Sequence, residues 1–423
     1  MAEKIDAKGF KALTASPQQP PWIAYVVPFD FPEGGAGARR VLGNAQSLVA
    51  AGYRVTIISA QIDRSGSDAR PFAPGISLAS TGERDAEHLP RALKRARYIF
   101  TGSRTRDWIA RAPTPPAAII LYSGYSPYLL QLSGMARRRN IPLIFDAVEW
   151  YTADRPLGFL KSPYLWNIEF AMRVLIPRQD GVIAISSYLA DYYRRRGLPV
   201  AQVPPTLDVS ALEPSLETLS PDGRLRLAYC GSASNDLLDT VITALMRLDP
   251  EGTRILLDIA GPTADEVSAL PSLRGRDAVP AGLTLHGRVS HEQSVAITRA
   301  ADFSIFLRQI NRVSSAGFPT KFGESLSLGT PVITNLTSDL ADHLEDGANG
   351  LVCPSPDPGD LVKILERALT LEPARLSAMR RAARATAETS FDYNIHSEAL
   401  VRLLAQCNAP GPDRTLMEND NHV

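Results

Sequence analysis

Short, almost uninterrupted apolar runs recur along this 423-residue chain, each followed by a stretch long enough for a helix. They fall at 22–27, 55–58, 118–122, 142–145 and 181–185 in the first half, and at 225–230, 255–260, 283–286, 303–307, 332–334 and 351–353 in the second. Successive side chains of a strand point to opposite sides, so a strand that is apolar throughout must be covered on both faces. A parallel sheet between two helical layers meets that need. The pattern predicts an α/β fold of two Rossmann-like, doubly wound domains, whose ligands bind at the carboxyl ends of the strands.

The opening unit shows the repeat in full. The run at 22–27 leads into Gly34-Gly-Ala-Gly37, then into a helical pattern with Val41, Ala45, Leu48 and Val49 on one face, with Gly52 at its C′ position before the next strand. Between the halves, Pro214 and Pro221 interrupt a polar stretch at 208–223. Charge divides at the same place. The whole chain balances 45 Lys and Arg against 45 Asp and Glu, yet residues 1–220 hold 26 and 19 of them and residues 221–423 hold 19 and 26. Two domains of opposite sign imply different partners.

With 44% hydrophobic residues and no net charge, the chain can bury a core, which excludes disorder as its main state. Its apolar runs stop far short of the roughly 18 residues a membrane span needs. Residues 1–21 lack the apolar segment of a secretory signal, and Cys230, Cys353 and Cys407 are too scattered for a disulfide framework or a zinc site. The cytoplasm is the expected compartment.

Chemistry concentrates in Gly317-Phe-Pro-Thr-Lys-Phe-Gly-Glu-Ser-Leu-Ser-Leu-Gly-Thr-Pro-Val-Ile-Thr334. Pro319 suits a helix entry, Gly329 its C′ end, and Thr330-Pro331 launches a strand. The start of such a helix at Thr320 offers N–H groups and a positive dipole end to phosphate, and Lys321 adds a charge for the same anion. Glu324 shares a face with Lys321, either to accept ribose hydroxyls or to pair with that lysine at the surface. Asp146 and Glu149 follow the strand at 142–145, so at least one is expected to project into a cleft; the alternative is a helix cap and a structural glutamate. Gly34, Gly35 and Gly37 form a tight turn without the spacing of a dinucleotide site. Arg39 and Arg40 behind it either reach an anion or lie on a solvated face. Six histidines show no ligand spacing, and no Asp-x-Asp follows a strand, so neither a metal nor a resident cofactor is expected. His286 is expected in the core or bonded to backbone.

Residues 156–176 are rich in large apolar side chains, with Arg155, Lys161, Arg173 and Arg178 among them and arginine clusters at 137–139 and 194–196. They fit either a first domain resting on anionic lipid or a buried helix pair. No interleaved aromatic platform accompanies the arginines, which excludes nucleic acid as the expected partner.

The segment 317–334 resembles the donor-nucleotide motif of the family 4 glycosyltransferases, retaining enzymes of the GT-B fold. That motif is a Glu, seven residues, a second Glu, and a small-residue helix ending in Gly-x-Pro-Val. Further segments stand in the family's order: Gly34-Gly-Ala-Gly37, Asp146-Ala-Val-Glu149-Trp150, Asp180-Gly-Val-Ile-Ala-Ile-Ser186, Val203-Pro-Pro-Thr-Leu-Asp208, Tyr229-Cys-Gly231 and Asp346-Gly-Ala-Asn-Gly350-Leu351. The resemblance implies a flexible N-terminus at 1–20, an acceptor-binding domain at 21–207, a nucleotide-sugar domain at 222–388, a helix at 389–407 returning to the first domain, and a flexible tail at 408–423. It further implies transfer of a sugar from a nucleoside-diphosphate sugar to a saccharide or lipid-linked acceptor with retention, in polysaccharide or glycoconjugate assembly. Glu324 would hold ribose. Thr320 and Lys321 would hold the diphosphate, approached by Gly34, Gly35 and Gly37 from across the cleft and by Gly231 from its own domain. Glu149, Asp146 and Lys321 become the candidate catalytic residues.

The chain also departs from the family. Ala316 stands where the first Glu belongs, Phe318-Pro-Thr-Lys321 replaces a Gly-Phe-Gly stretch, and residues 231–236 lack the usual Arg and Lys. Lys321 and Arg308 are the expected substitutes for that charge. No His occupies 123–125, where several relatives carry one. These departures keep a catalytically degenerate GT-B partner subunit open as an alternative, with an epimerase or phosphorylase behind it.

Overall fold

The computed structural model describes residues 19–33, 35–62, 68–83, 100–152, 162–216, 223–232, 236–276 and 278–412. Residues 1–18, 34, 63–67, 84–99, 153–161, 217–222, 233–235, 277 and 413–423 lie outside this set.

Among the described residues the first half forms an eight-stranded sheet in the order β3-β4-β2-β1-β5-β6-β7-β8. Its strands are β1 Trp22–Val27, β2 Arg54–Ser59, β3 Arg70–Ala73, β4 Ile76–Ser80, β5 Ala118–Tyr122, β6 Leu143–Ala147, β7 Gly181–Ala184 and β8 Val200–Gln202. All neighbours are parallel except β3 and β4, an antiparallel hairpin at the edge. The second half forms a six-stranded, wholly parallel sheet in the order β11-β10-β9-β12-β13-β14. Here β9 is Leu225–Cys230, β10 Ile255–Ala260, β11 Leu283–Gly287, β12 Phe303–Ile305, β13 Val332–Thr334 and β14 Gly350–Val352.

Burial explains the strand pattern. All six residues of β1 are buried, because helices cover both faces at the centre of the sheet. On one face Ile23, Tyr25 and Val27 meet Ala38, Val41, Ala45 and Leu48 of the helix Gly35–Ala50; on the other Ala24 and Val26 join the larger core. The edge strand β3 is mostly exposed, as the last strand of an open sheet can be.

The helix Ser397–Gln406 does not pack on the domain that precedes it. Leu400, Leu403, Leu404 and Cys407 fill the same cluster as Ile23 and Tyr25 in the first domain. The chain is guided there by Ser47, whose hydroxyl donates to the Tyr393 carbonyl at 2.7 Å, and by Leu207, whose N–H donates to the Phe391 carbonyl at 3.0 Å. Elsewhere the domains are joined by the Ser186 hydroxyl donating to the Ala316 carbonyl (2.7 Å) and by Asp339, which accepts from the Ser187 N–H (2.7 Å) and Gln202 (3.0 Å). Among the described residues no helix is long and apolar enough to cross a membrane.

Candidate active site

The carboxyl ends of strands from both sheets converge on one cleft of about 720 Å³. The helix Thr320–Ser327 opens onto it from the second domain. Pro319 leads in without a side-chain cap, and Gly329, at φ +68°, ends the helix in the left-handed conformation that glycine adopts without strain. A Cβ there would lie 2.8 Å from the Ser215 carbonyl, so the turn also needs glycine for space. From the helix Pro373–Ser390, buried Arg380 donates to the carbonyls of Ala301 (2.5 Å), Ser215 (3.2 Å) and Gly329 (3.4 Å), and Arg384 donates to that of Ser327 (2.5 Å). These arginines satisfy the end of the cleft helix and hold it in place.

Thr320, Lys321 and Glu324 all line the cleft. Lys321 and Glu324 do not pair with each other. The Lys321 ammonium bonds the Asp236 carboxylate and stands 4.6 Å from the centre of the Tyr229 ring, whose hydroxyl donates to the same carboxylate at 3.0 Å. Gly231 passes directly beneath: a Cβ there would come within 2.2 Å of the lysine nitrogen. Glu324 instead pairs across the cleft with Arg39 of the first domain. Arg308 is half-buried, its backbone held at both ends by Asn335, which accepts from its N–H at 2.8 Å and donates to its carbonyl at 2.9 Å. Burial pulls its guanidinium below the ordinary value, against the opposing pull of Asp236 and Glu149.

On the first domain's side, Gly35, Ala36 and Arg39 bring the start of the helix Gly35–Ala50 to the cleft. Gly37 lies off the cleft surface, where its missing side chain makes room for the Tyr122 ring; a Cβ would sit 2.9 Å from that hydroxyl. Gly34 is outside the described residues.

The two carboxylates after β6 part company. Glu149 lines the cleft, and burial raises its carboxyl to about 7, partly offset by Arg308. Asp146 does not reach the cleft, which corrects its expected place among the reacting groups. It is fully buried, accepting from the Tyr25 hydroxyl at 2.6 Å and from Arg40 at 2.7 and 3.0 Å. Arg40 is not on a solvated face either; its remaining N–H groups donate to the carbonyls of Val203 (2.9 Å) and Pro204 (3.2 Å). The physical reason is strand alternation: within β6, position 146 points to the face covered by the helix Gly35–Ala50, whereas Glu149 stands beyond the strand end. His286 is neither core nor backbone-bonded; its ring meets the Asp258 carboxylate at 2.6 Å on a partly exposed surface.

The sequence motifs did not single out Tyr122, which ends β5 and lines the cleft between Glu149 and the Arg40–Asp146 pair. Burial and the nearby carboxylates push its phenol far up, so it stays protonated. The signal available was its place at a strand's carboxyl end. Among the described residues no three His, Cys, Asp or Glu side chains gather in a metal-binding group.

Residues 35–206 match the model of the glycosyl transferase 4-like domain, and residues 219–386 that of the glycosyl transferases group 1. The chain is a family 4, group 1 glycosyltransferase. Among curated proteins none matches it by sequence. Solved structures share its GT-B architecture at low identity. Sucrose-phosphate synthase from Thermosynechococcus elongatus aligns with a TM-score of 0.69 at 16% identity, over 92% of this glycosyltransferase and 99% of that chain. HepE of Anabaena in complex with UDP-glucose gives 0.61 at 13%, over 91% and 99%. A glycosyltransferase from Rickettsia africae gives 0.62 at 12%, over 92% and 98%.

Proposed function

We propose that this glycosyltransferase moves a sugar from a nucleoside-diphosphate sugar to an acceptor hydroxyl with retention of configuration, in glycoconjugate or polysaccharide assembly and without a metal. The observation that carries the proposal is the pairing in one cleft of a helix start bearing Lys321 with a carboxyl, Glu149, that titrates near neutrality. The diphosphate binds at Thr320 and the Lys321 ammonium, beneath which Gly231 leaves room, with Arg308 alongside. Glu324 exchanges Arg39 for ribose hydroxyls, and Arg39, released, faces the diphosphate beside Gly35. From the opposite wall ionised Glu149 accepts a hydrogen bond from the acceptor hydroxyl and orients it. The C1–O bond to the diphosphate breaks, the acceptor oxygen bonds C1 on the same face, and its proton passes to a leaving phosphate oxygen. Uridine is the first base to test, because HepE was solved with UDP-glucose.

A binding or partner subunit is the second proposal, and Ala316 favours it. Ala316, at the position of the family's first Glu, is buried, and its backbone carbonyl accepts from the Ser186 hydroxyl. Calorimetry with UDP, GDP, dTDP and ADP and their sugar conjugates separates the two. Base-selective binding that is lost in Lys321→Ala, followed by transfer to an acceptor, is expected; binding without transfer to any acceptor favours the subunit. Binding of none overturns the transfer proposal and leaves the non-catalytic partner subunit.

A further inference from the structure

The helix Pro163–Phe170 presents more apolar surface to solvent than a surface helix needs. Tyr164, Trp166 and Phe170 are 55, 51 and 46% exposed, while Ile168 alone of the helix is buried. Trp166 and Phe170, four residues apart, share the outer face. The helix Tyr125–Arg138 lies alongside: Ser126 bonds Asn167 through its N–H and its hydroxyl, each at 3.1 Å, and the Ser133 hydroxyl reaches Gln179 at 3.1 Å. Leu130, one turn beyond Ser126 on that helix, is 56% exposed.

Charge on the two helices is one-sided among the described residues. The helix Tyr125–Arg138 has no acidic residue and runs into Arg137, Arg138 and Arg139, which are exposed and carry no side-chain partner among the described residues. On the neighbouring helix the single carboxylate, Glu169, is held by Arg173 (2.5 Å) and Arg312 (2.6 Å). The patch also approaches the segment that follows Glu149. The Tyr164 ring stands 6.5 Å from that of Tyr151, and its phenol feels the charge of Glu149.

We propose that this face docks on an anionic lipid surface, with Trp166, Phe170 and Leu130 at the headgroup boundary and Arg137–Arg139 on the phosphates, so that the acceptor is a lipid-linked molecule entering the cleft past Tyr164. The acceptor clause rests on the sugar-transfer proposal; the docking clause does not.

The test uses the full chain with phosphatidylcholine vesicles prepared with and without phosphatidylglycerol. Co-sedimentation only with the anionic vesicles, weakened by salt, is expected. Replacing Arg137, Arg138 and Arg139 with Gln weakens it by at least about tenfold, whereas Lys at the three positions retains it. Trp166→Phe keeps binding but loses the fluorescence quenching produced by brominated lipid, a readout that misfolding would not mimic. No binding to anionic vesicles, or binding unchanged by the Gln variant, overturns the proposal. So does a solution dimer that Trp166→Ser disperses, because the patch is then covered by a second copy. Donor binding in solution is measured separately, so loss of vesicle binding with donor binding intact rejects docking alone.

Discussion

The two walls of the cleft are built on the same strand-turn-helix plan, but they handle charge in opposite ways. In the first domain the charged pair behind the turn is sealed: Asp146 and Arg40 are buried, hydrogen-bonded to each other and to Tyr25 and two backbone carbonyls. In the second domain Lys321 and Glu324 are partly exposed, and each holds one partner, Asp236 or Arg39, that a ligand can replace. A buried pair cannot exchange partners, because separating it strands an ion in a low-dielectric interior. A pair at a helix mouth can, because water and an incoming anion compensate it. The Asp146–Arg40 pair is thus a rigid support behind one wall, while the pairs made by Lys321 and Glu324 form an exchangeable binding surface on the other.

Breaking the sealed pair should have the largest effect. Asp146→Ala leaves Arg40 buried without its counter-ion, and denaturant titration should show a loss of about 3–5 kcal/mol of stability. If instead the protein keeps its stability and loses only turnover, the division between support and binding wall fails. Lys321→Ala should do the reverse. Turnover with a nucleotide sugar drops by roughly 10²–10³-fold, the usual effect of removing a charge-stabilising donor, while the thermal midpoint changes little.

Glu149→Gln sharpens the contrast through pH. Wild-type activity should rise as pH passes about 7 and Glu149 ionises, and the Gln variant should lose that limb along with roughly 10²-fold in rate. Stability runs the other way. The folded carboxyl holds its proton more tightly than the unfolded one, so wild-type stability declines as pH rises from 4.5 towards 7, by at most about 1.4 kcal/mol per pH unit. The Gln variant lacks this decline, and parallel unfolding curves for the two proteins would refute the burial of Glu149. Smallest is Arg39→Ala. The pair with Glu324 is partly exposed and spans the domains, so a change of only about threefold in donor affinity is expected, with no loss of stability. A large loss of stability would mean that the pair holds the domains together.

Much of the fold could be read from local patterns. The runs at 22–27, 118–122, 225–230, 255–260 and 332–334 coincide with β1, β5, β9, β10 and β13. The hairpin β3–β4 and the three-residue β8 gave no such signal, because short strands towards a sheet edge have few positions that must be apolar on both faces. Of the helix expected at 389–407 only the second part forms one: Ser390 ends the preceding helix, Tyr393–His396 is a 3₁₀ turn, and the α-helix runs from Ser397 to Gln406.

Periodicity and turn chemistry are local properties, and they set out the two parallel-sheet domains and the helix that starts at Thr320 and stops before Gly329. The active site is different, since its side chains come from distant parts of the chain. Asp146 and Glu149 are equivalent on paper; the helix Gly35–Ala50, which covers one face of β6, buried the first and left the second at the cleft. Lys321 lies three residues from Glu324, yet it bonds Asp236, 85 residues away, because the carboxyl end of the central strand β9 and the start of the helix at Thr320 meet at the cleft. Sequence spacing specifies which face of an element a residue occupies. Only the packing of one element on another specifies what that face meets, and partner, burial and protonation state all follow from that contact.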